Sequence, residues 1–302
     1  MKFDEGKDGG SDHAARMLRG ETLGDEDWNA YLRSAHGRLA GASPEVFAGH
    51  DVLDGVDSYQ LVVRGLLDSK EELGTIVDLA CGDGHLIGRL MKTRCRDAQF
   101  IGVDMSPDEI ELARSKWEAQ PNVRFICEQA HSMSLTTGSV DAIVCHAALM
   151  LMRPLEPVAS EIRRVLKTGG VFVAMISSSR PPAGAITKFG PLIRRFFLDK
   201  GFEIEGLQMG DPATRNPDGL RSVFSRERGF VEADVNDGLV IRKRFAVEKA
   251  WEQWRDSYLV DLLDTSQKQE LREAITELAA VHADSQGSVV FETPIQLLVA
   301  RA

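Results

Sequence analysis

The chain has 302 residues, which is long enough for one large domain or for a core with a small cap. Its formal net charge of -10 at pH 7 gives no general attraction to phosphate backbones or to anionic membranes. No apolar run approaches the length of a membrane span, and the first residues, MKFDEGKDGGSDH, lack the apolar stretch of a signal peptide. We therefore expect a cytoplasmic protein with neither nucleic acid nor a membrane as a partner.

The four cysteines show neither a C-x-x-C pair nor the spacing of a zinc site. They are Cys81, Cys95, Cys127 and Cys145, and three of them lie in or beside apolar runs typical of strands. The sequence therefore predicts small buried side chains in a reducing compartment and no metal site.

The first seventy residues precede the regular part of the chain. Residues 1–20 are predicted to form a disordered leader. Residues 21–70 carry apolar side chains at helical spacing over 25–40 and 44–67. This pattern predicts two or three helices that act as a partial lid.

Strand and helix patterns alternate over residues 71–180, the predicted α/β core. Continuous apolar strands separated by helices indicate a parallel sheet covered on both faces, which is a doubly wound α/β fold. The strands are predicted at 75–79, 99–104, 122–127, 140–145 and 171–177, and the helices at 84–93, 107–119 and 155–166.

Residues 181–302 are predicted to complete a mostly parallel, seven-stranded sheet and to place helical cap elements over the substrate site. The stretch Asn236-Asp237-Gly238 is a strong turn signal, which predicts that 231–245 forms one or two strands turned at that point. Pro294 is expected at an edge or bulge of the last strand. The remaining elements are predicted as helices at 183–200, 220–229, 247–264 and 267–282 and a strand at 288–302.

Residues 75–88, TIVDLACGDGHLIG, read as a strand, a tight turn and a helix. Gly82 and Gly84 can adopt backbone angles that other residues avoid, and they let a ligand approach the N–H groups of the new helix. A turn whose glycines only relieve crowding is the alternative. Asp78 before the turn and Asp104 after the next strand favour a bound ligand of nucleotide type.

The candidate functional residues follow the ends of four predicted strands. In open α/β sheets the ligand lies beyond the carboxyl ends of the strands, so these residues are expected to share one rim. Asp104, about twenty residues after the glycine turn, is placed to accept both hydroxyls of a ribose. The other rim residues are Asp78, Ala80, Gly82, Gly84, Gln129 and His146.

Two ribose-containing cofactors compete for this rim, a nicotinamide dinucleotide and S-adenosylmethionine. Gly82, Gly84 and Gly88 have the spacing G-x-G-x-x-x-G, which departs from the dinucleotide pattern. Asp78 and Asp83 would oppose the pyrophosphate dianion but attract the ammonium group of S-adenosylmethionine. The charge pattern therefore favours the sulfonium cofactor.

Residues 75–177 resemble the class I S-adenosylmethionine-dependent methyltransferases. The resemblance implies a Rossmann-like fold, S-adenosyl-L-methionine as the cofactor and a small molecule as the methyl acceptor. The latter half of the chain is most similar to the ubiquinone/menaquinone type of small-molecule methyltransferase. The motifs that carry the resemblance are VDLACGDG (77–84), GVDMSPDEIELAR (102–114), EQAHSMSL (128–135), VDAIVCHAALMLM (140–152) and EIRRVLKTGGVFV (161–173).

The resemblance also implies roles for single residues. Asp104 would bind the ribose and Met105 would lie against the adenine. Gln129 stands where an acidic residue often contacts the adenine amino group, and Ala80 stands where glycine is commoner. The full set of implied cofactor-binding residues is Asp78, Ala80, Cys81, Gly82, Gly84, Asp104, Met105, Gln129, Ala130 and His146.

Methyl transfer from a sulfonium is an in-line displacement, so the main task of the protein is to position the acceptor in a dry pocket. His146 is the candidate catalytic base, and the alternative is that its imidazole only lines the pocket. We expect methylation of oxygen or carbon, in preference to nitrogen, on an apolar or aromatic molecule. The candidates for lining the acceptor pocket are Leu149, Met150, Met152, Trp28, Tyr31, Tyr59, Phe189, Phe196, Phe197, Trp251, Trp254 and Tyr258.

Two functions of other classes stay open at this point. One is a pericyclase-like or regulatory protein that binds the cofactor without methyl transfer, and the other is a nicotinamide-dependent oxidoreductase. A homodimer also stays open.

Overall fold

The computed structural model of the chain describes residues 9–47, 56–204 and 209–302. The α-helices are α1 (Gly9–Leu18), α2 (Asp25–Arg38), α3 (Ser43–Phe47), α4 (Ser58–Ser69), α5 (His85–Leu90), α6 (Pro107–Trp117), α7 (Leu155–Val165), α8 (Ile186–Asp199), α9 (Pro217–Val223), α10 (Tyr258–Asp261) and α11 (Thr265–His282). The strands are β1 (Thr75–Leu79), β2 (Gln99–Asp104), β3 (Val123–Cys127), β4 (Val140–His146), β5 (Leu166–Ser177), β6 (Ala183–Gly184), β7 (Glu232–Ala246) and β8 (Ser288–Arg301).

One sheet runs through the described residues in the order β3-β2-β1-β4-β5-β8, with β6 and β7 both paired to β8. The first five strands of this order are parallel, and the β8 pairs with β5, β6 and β7 are antiparallel. The predicted doubly wound, mostly parallel α/β fold is confirmed. The two-residue strand β6 is an addition to the seven predicted strands.

Successive side chains along each strand point to opposite faces of the sheet and pack into two separate cores. Val77 and Leu79 of β1 pack in the cluster that contains α7 and α9. Ile76 points to the opposite face, where it packs with α4, α5 and α6. Because both faces are covered, the strands read as continuous apolar runs.

The first helices differ from the prediction. Residues 1–20 were expected to be a disordered leader, yet α1 is a helix whose Met17 is buried against Trp28 and Tyr31 of α2. This apolar contact with α2 explains the order, since a short polar helix is marginal on its own. Residues 1–8 lie outside the described part.

The predicted helical region 44–67 comprises two helices, α3 and α4. Residues 48–55, which include Val52 and Leu53 of the predicted pattern, lie outside the described residues. Asp57 is the N-cap of α4, and its side chain accepts a hydrogen bond from the Gln60 N–H at 2.8 Å. The helix therefore starts at a recognisable capping signal.

The predicted turn at Asn236-Asp237-Gly238 is a β-bulge within a continuous strand. Both halves of β7 pair with the same partner, β8, and the register shifts only between Asn236 and Leu239. The Asn236 side chain accepts a hydrogen bond from the Gly238 N–H at 3.0 Å, which is a local turn. The pairing with β8 therefore overrides the hairpin signal, while the turn chemistry survives as the bulge.

The predicted helix 247–264 is broken into short pieces. Two 3-10 turns, Val247–Lys249 and Trp251–Gln253, precede α10, which is capped by the Ser257 side chain.

Three of the four cysteines are buried as expected, whereas Cys127 is exposed at the end of β3. Within the described ranges, every helix falls short of the length and apolar character needed to cross a membrane.

Candidate functional site

A cavity of about 440 Å³ lies beyond the carboxyl ends of β1, β2 and β4. The predicted rim residues converge there because the parallel register places Asp78 beside both Gly102 and Val144. All of the predicted cofactor-binding residues except Gly84 line this cavity, and they are Asp78, Ala80, Cys81, Gly82, Asp104, Met105, Gln129, Ala130 and His146.

The turn after β1 has three residues with positive φ, namely Ala80 (57°), Gly82 (51°) and Gly84 (78°). Alanine therefore adopts the left-handed conformation at the position where the methyltransferase motif more often has glycine. Gly84 has another reason to be glycine, since a Cβ there would lie 2.6 Å from the Trp117 Nε1. The structure thus explains Gly84 by helix packing and not by contact with the cavity.

The carboxylate of Asp104 is held by two backbone donors. Its Oδ2 accepts a hydrogen bond from the Gly82 N–H at 3.0 Å, and its Oδ1 accepts one from the Ser106 N–H at 2.9 Å. These bonds fix the end of β2 against the glycine turn. The remaining lone pairs of both oxygens can accept hydroxyl donors of a ligand in the cavity.

Asp78 is 2% exposed, and its Oδ2 has no hydrogen-bond partner among the residues that the structure describes. Burial raises the pKa of this carboxyl well above its usual range, and the negative charges of Asp104 and Asp83 raise it further. The Ile87 backbone N–H opposes this shift. A cationic ligand group beside Asp78 would supply the missing partner.

Asp83 also lines the cavity, but its carboxylate has partners within the protein, unlike the Oδ2 of Asp78. Its Oδ2 lies 2.6 Å from the Lys116 Nζ, and its Oδ1 accepts a hydrogen bond from the His85 N–H. The charge of Asp83 is therefore compensated by Lys116, because α6 packs across the turn. Asp83 therefore attracts a cationic ligand less than an unpaired carboxylate would.

His146 lies at the end of β4, as expected, with its Nε2 2.9 Å from the Ser58 Oγ of α4. Its ring stacks on Tyr59 with 3.7 Å between the ring centroids, and Phe47 approaches it edge-on at 5.2 Å. These contacts fix the imidazole in one orientation at the cavity.

Five apolar side chains of the cavity lining are called here the acceptor side, and they are Met150, Met152, Ile193, Trp254 and Leu259. The proposed lining roles of Met150 and Met152 fit this position, whereas the fully buried Leu149 belongs to the core. Of the other aromatic candidates, Tyr59 and Tyr258 also line the cavity. The remaining candidates pack elsewhere, and they are Trp28, Tyr31, Phe189, Phe196, Phe197 and Trp251.

Comparison with known proteins identifies the family. A model described as "Methyltransferase domain" matches residues 76–170. The demethylmenaquinone methyltransferase of Lactococcus lactis subsp. lactis is 33% identical over 187 residues, which is 58% of this chain and 73% of that protein. The chain belongs to the class I S-adenosylmethionine-dependent methyltransferases. The nicotinamide alternative is thereby removed.

Other relatives are matched over shorter stretches. The demethylmenaquinone methyltransferase of Thermus thermophilus is 33% identical over 123 residues, so that the match covers 40% of this methyltransferase and 54% of the relative. Among solved structures, the [4+2]-cyclase SpnF has a TM-score of 0.55 at 15% identity, with 93% of this chain and 96% of that chain covered. The likeness to SpnF concerns the fold alone.

The N-terminal cover of the methyltransferase, defined as residues 25–47, closes one side of the cavity. It is attached by long-range hydrogen bonds, of which one runs from the Trp28 Nε1 to the Leu151 carbonyl at 2.7 Å. Lys243 of β7 donates to the Val46 carbonyl at 2.9 Å and to the Gln253 Oε1 at 3.0 Å. Burial lowers the pKa of the Lys243 amine to about 8.

Glu109 and His36 are among the cavity residues that the sequence patterns did not point to. Glu109 is 1% exposed on α6, and His36 of the cover lies with its Nδ1 3.8 Å from the Glu109 Oε1. A signal for Glu109 was present, since it lies four residues before the buried Ala113 and so on the buried face of α6. The contact between His36 and Glu109 joins residues far apart in the chain, and no local pattern predicts it.

Proposed function

We propose that this methyltransferase moves the methyl group of S-adenosylmethionine to a small apolar or aromatic molecule, at oxygen or carbon in preference to nitrogen. The observation that carries the proposal is that one cavity is lined both by carboxylates and by a set of apolar side chains. The carboxylates are the buried Asp78 and the anchored Asp104, and the apolar side chains are those of the acceptor side.

The residues on the carboxylate side, called here the cofactor side, fit the two polar ends of S-adenosylmethionine. Asp104 would accept hydrogen bonds from the ribose hydroxyls, and the unpartnered Oδ2 of Asp78 would face the ammonium group. Met105 and Gln129 would contact the adenine. When bound, this cofactor supplies an electrophilic methyl group on a positively charged sulfur.

The acceptor side suits a molecule with an apolar or aromatic body and an oxygen. Trp254 lines this side, and its Nε1 is buried without a hydrogen-bond partner within the described residues. A buried N–H donor without a partner is costly, and a substrate oxygen would satisfy it. A phenolic or quinol ring is therefore the first acceptor class to test, and the names of the matched demethylmenaquinone methyltransferases support this choice.

His146 would act when the acceptor has to lose a proton. A phenol or an acidic carbon must be deprotonated before or during methyl transfer, whereas a neutral amine already has its lone pair. The imidazole of His146 is held against Ser58 and Tyr59 at the cavity and would take this proton. This is the reason for the preference for oxygen and carbon acceptors.

The test is formation of S-adenosylhomocysteine by the purified protein with S-adenosylmethionine and a panel of quinols, phenols, carboxylic acids and amines. We expect turnover with members of the first two classes. Binding of S-adenosylmethionine without turnover on any acceptor would instead support the non-methylating alternative, a cofactor-binding protein. A failure to bind S-adenosylmethionine would overturn the proposal altogether.

The remaining predictions concern location and assembly. A cytoplasmic location without a nucleic-acid or membrane partner stays a prediction supported by the net charge of -10. Whether the chain forms a homodimer is decided by its molar mass in solution, measured by light scattering.

A further inference from the structure

Glu109 lies where three parts of the cavity wall meet. It is carried by α6, which directly follows the ribose-facing Asp104, and a Cβ placed on Gly82 of the glycine turn would lie 3.6 Å from its Oε2. The same Oε2 accepts a hydrogen bond from the Gly41 N–H of the cover at 3.2 Å. One buried carboxylate thus contacts both the cofactor side and the cover.

His36 extends this connection to a further segment. Its Nδ1 lies 3.8 Å from the Glu109 Oε1, and its Nε2 lies 2.9 Å from the hydroxyl of Tyr258 on α10. Tyr31 of the cover donates to the Tyr258 carbonyl at 3.1 Å. The cover is therefore tied to α6 and to α10 around one imidazole.

The negative charges around His36 strengthen its contacts with α6, and so the attachment of the cover, when the imidazole is protonated. Burial alone would lower the pKa of His36, but the adjacent Glu109 carboxylate and the negative charge of Asp104 outweigh it, so that the pKa is raised. The titratable groups that face the ring are Glu109 and Asp104 from the core and the Tyr258 hydroxyl from α10. Asp108 lies beside Gly37, at the next position of α2.

We propose that Glu109 and His36 are positioning residues that hold the cover over the cofactor side of the cavity and so slow the departure of the bound nucleoside. The inference rests on the proposed function, because it takes the cavity to be the cofactor site. Neither residue needs to touch the transferred methyl group. Their effect is on the lifetime of the complex.

The sign of the pH dependence follows from the raised pKa. The tie is complete below the ordinary imidazole pKa of about 6.5, and it weakens as the pH rises through the raised pKa of His36. The dissociation rate of the nucleoside product is therefore expected to increase with pH in that range. A residue with a merely structural role would not produce this profile.

The experiment measures the dissociation rate of S-adenosylhomocysteine by stopped-flow displacement between pH 6 and pH 9. We expect Glu109→Gln and His36→Gln to raise this rate about tenfold at pH 6, because loss of one partner of a buried charge pair acts on dissociation. The His36→Gln profile should be flat with pH. Since the two residues act as a pair, the double variant should dissociate no faster than the single variants.

Glu111→Gln is the matched control, because this substitution removes the same charge from the exposed face of α6. Its dissociation rate should equal that of the unmodified protein. A rate at pH 6 in His36→Gln within about twofold of that of the unmodified protein would overturn the proposal, even if Glu109→Gln failed to fold. Absence of S-adenosylhomocysteine binding by the unmodified protein would overturn the proposed function instead, so the two failures are distinguishable.

Discussion

The cofactor side and the acceptor side of the cavity are built from different kinds of structure. The cofactor side consists of short loops at the ends of parallel strands, and the pairing of β1 with β2 and β4 fixes where they lie. The acceptor side is assembled from the segment after β4, from α8, from the turn before α10 and from α10 itself, which reach the cavity from distant parts of the sequence. The first side depends on sheet register, and the second depends on side-chain packing.

This difference separates two properties of the enzyme. Substitutions on the cofactor side should change the affinity for S-adenosylmethionine, whereas substitutions on the acceptor side should change the choice of acceptor. Four substitutions test the separation, beginning with the one that should have the largest effect.

Asp104→Ala should weaken S-adenosylmethionine binding about 100-fold, since hydrogen bonds to a charged group each contribute roughly 1.5–3 kcal/mol. The substitution also removes the acceptor for the Gly82 and Ser106 N–H groups. Calorimetric titration measures the change, and the exposed Asp97 provides a control as Asp97→Ala. An affinity unchanged within about threefold would contradict the site assignment.

His146→Ala tests chemistry at the boundary between the two sides. If His146 is the base, kcat should fall about 100-fold, while the dissociation constant of S-adenosylmethionine changes less than threefold. Initial-rate kinetics with a phenolic acceptor and a binding titration give both numbers. An unaltered kcat would leave the imidazole with a lining role only.

Asp78→Asn should weaken S-adenosylmethionine binding about tenfold, because it removes the charge opposite the cationic cofactor. The same substitution should stabilise the unliganded protein. Because the pKa of Asp78 is raised on folding, its contribution to stability is complete below the ordinary carboxyl pKa and is lost as the pH rises through the raised pKa.

The melting temperature provides the measurement for this second effect. Asp78→Asn should melt about 3 °C above the unmodified protein at pH 8, and the gap should shrink towards pH 5. The Asn variant lacks a titrating carboxyl, so it does not suffer the loss at high pH. A gap that is constant with pH would contradict the assignment of a buried, unpaired carboxylate.

Trp254→Phe should have the smallest effect and should be confined to the acceptor. The ring remains, but the indole N–H is lost, so the KM for an oxygen-bearing acceptor should rise about fivefold while cofactor affinity stays constant. Trp251→Phe is the control, because Trp251 packs in the same cluster without lining the cavity. Equal effects of the two substitutions would remove Trp254 from acceptor recognition.

The same difference between sheet register and side-chain packing explains which parts of the site can be predicted from sequence patterns. The strand ends that carry Asp78, Asp104 and His146 follow from apolar runs and from the rule that parallel strands share a rim. The partner of Asp83 could not be predicted, because Lys116 meets it only when α6 packs across the turn. Gly84 likewise owes its identity to Trp117 on that helix.

The elements that differ from the sequence pattern are those whose conformation is decided at long range. The bulge at Asn236 follows from pairing of the whole of β7 with β8, and the local turn signal contains no information about that partner. The order of α1 follows from its contact with α2. Residues 247–264 have helical spacing, but their aromatic side chains pack against α8 and β8 in short turns.

Lys243 gives the cover a chemical reporter of its own. Burial lowers the pKa of its amine to about 8, and an uncharged amine is a nucleophile. In the closed arrangement this amine is engaged by the Val46 carbonyl and by Gln253. The rate at which a small reagent acylates Lys243, measured by peptide mass spectrometry, therefore reports how often the cover opens.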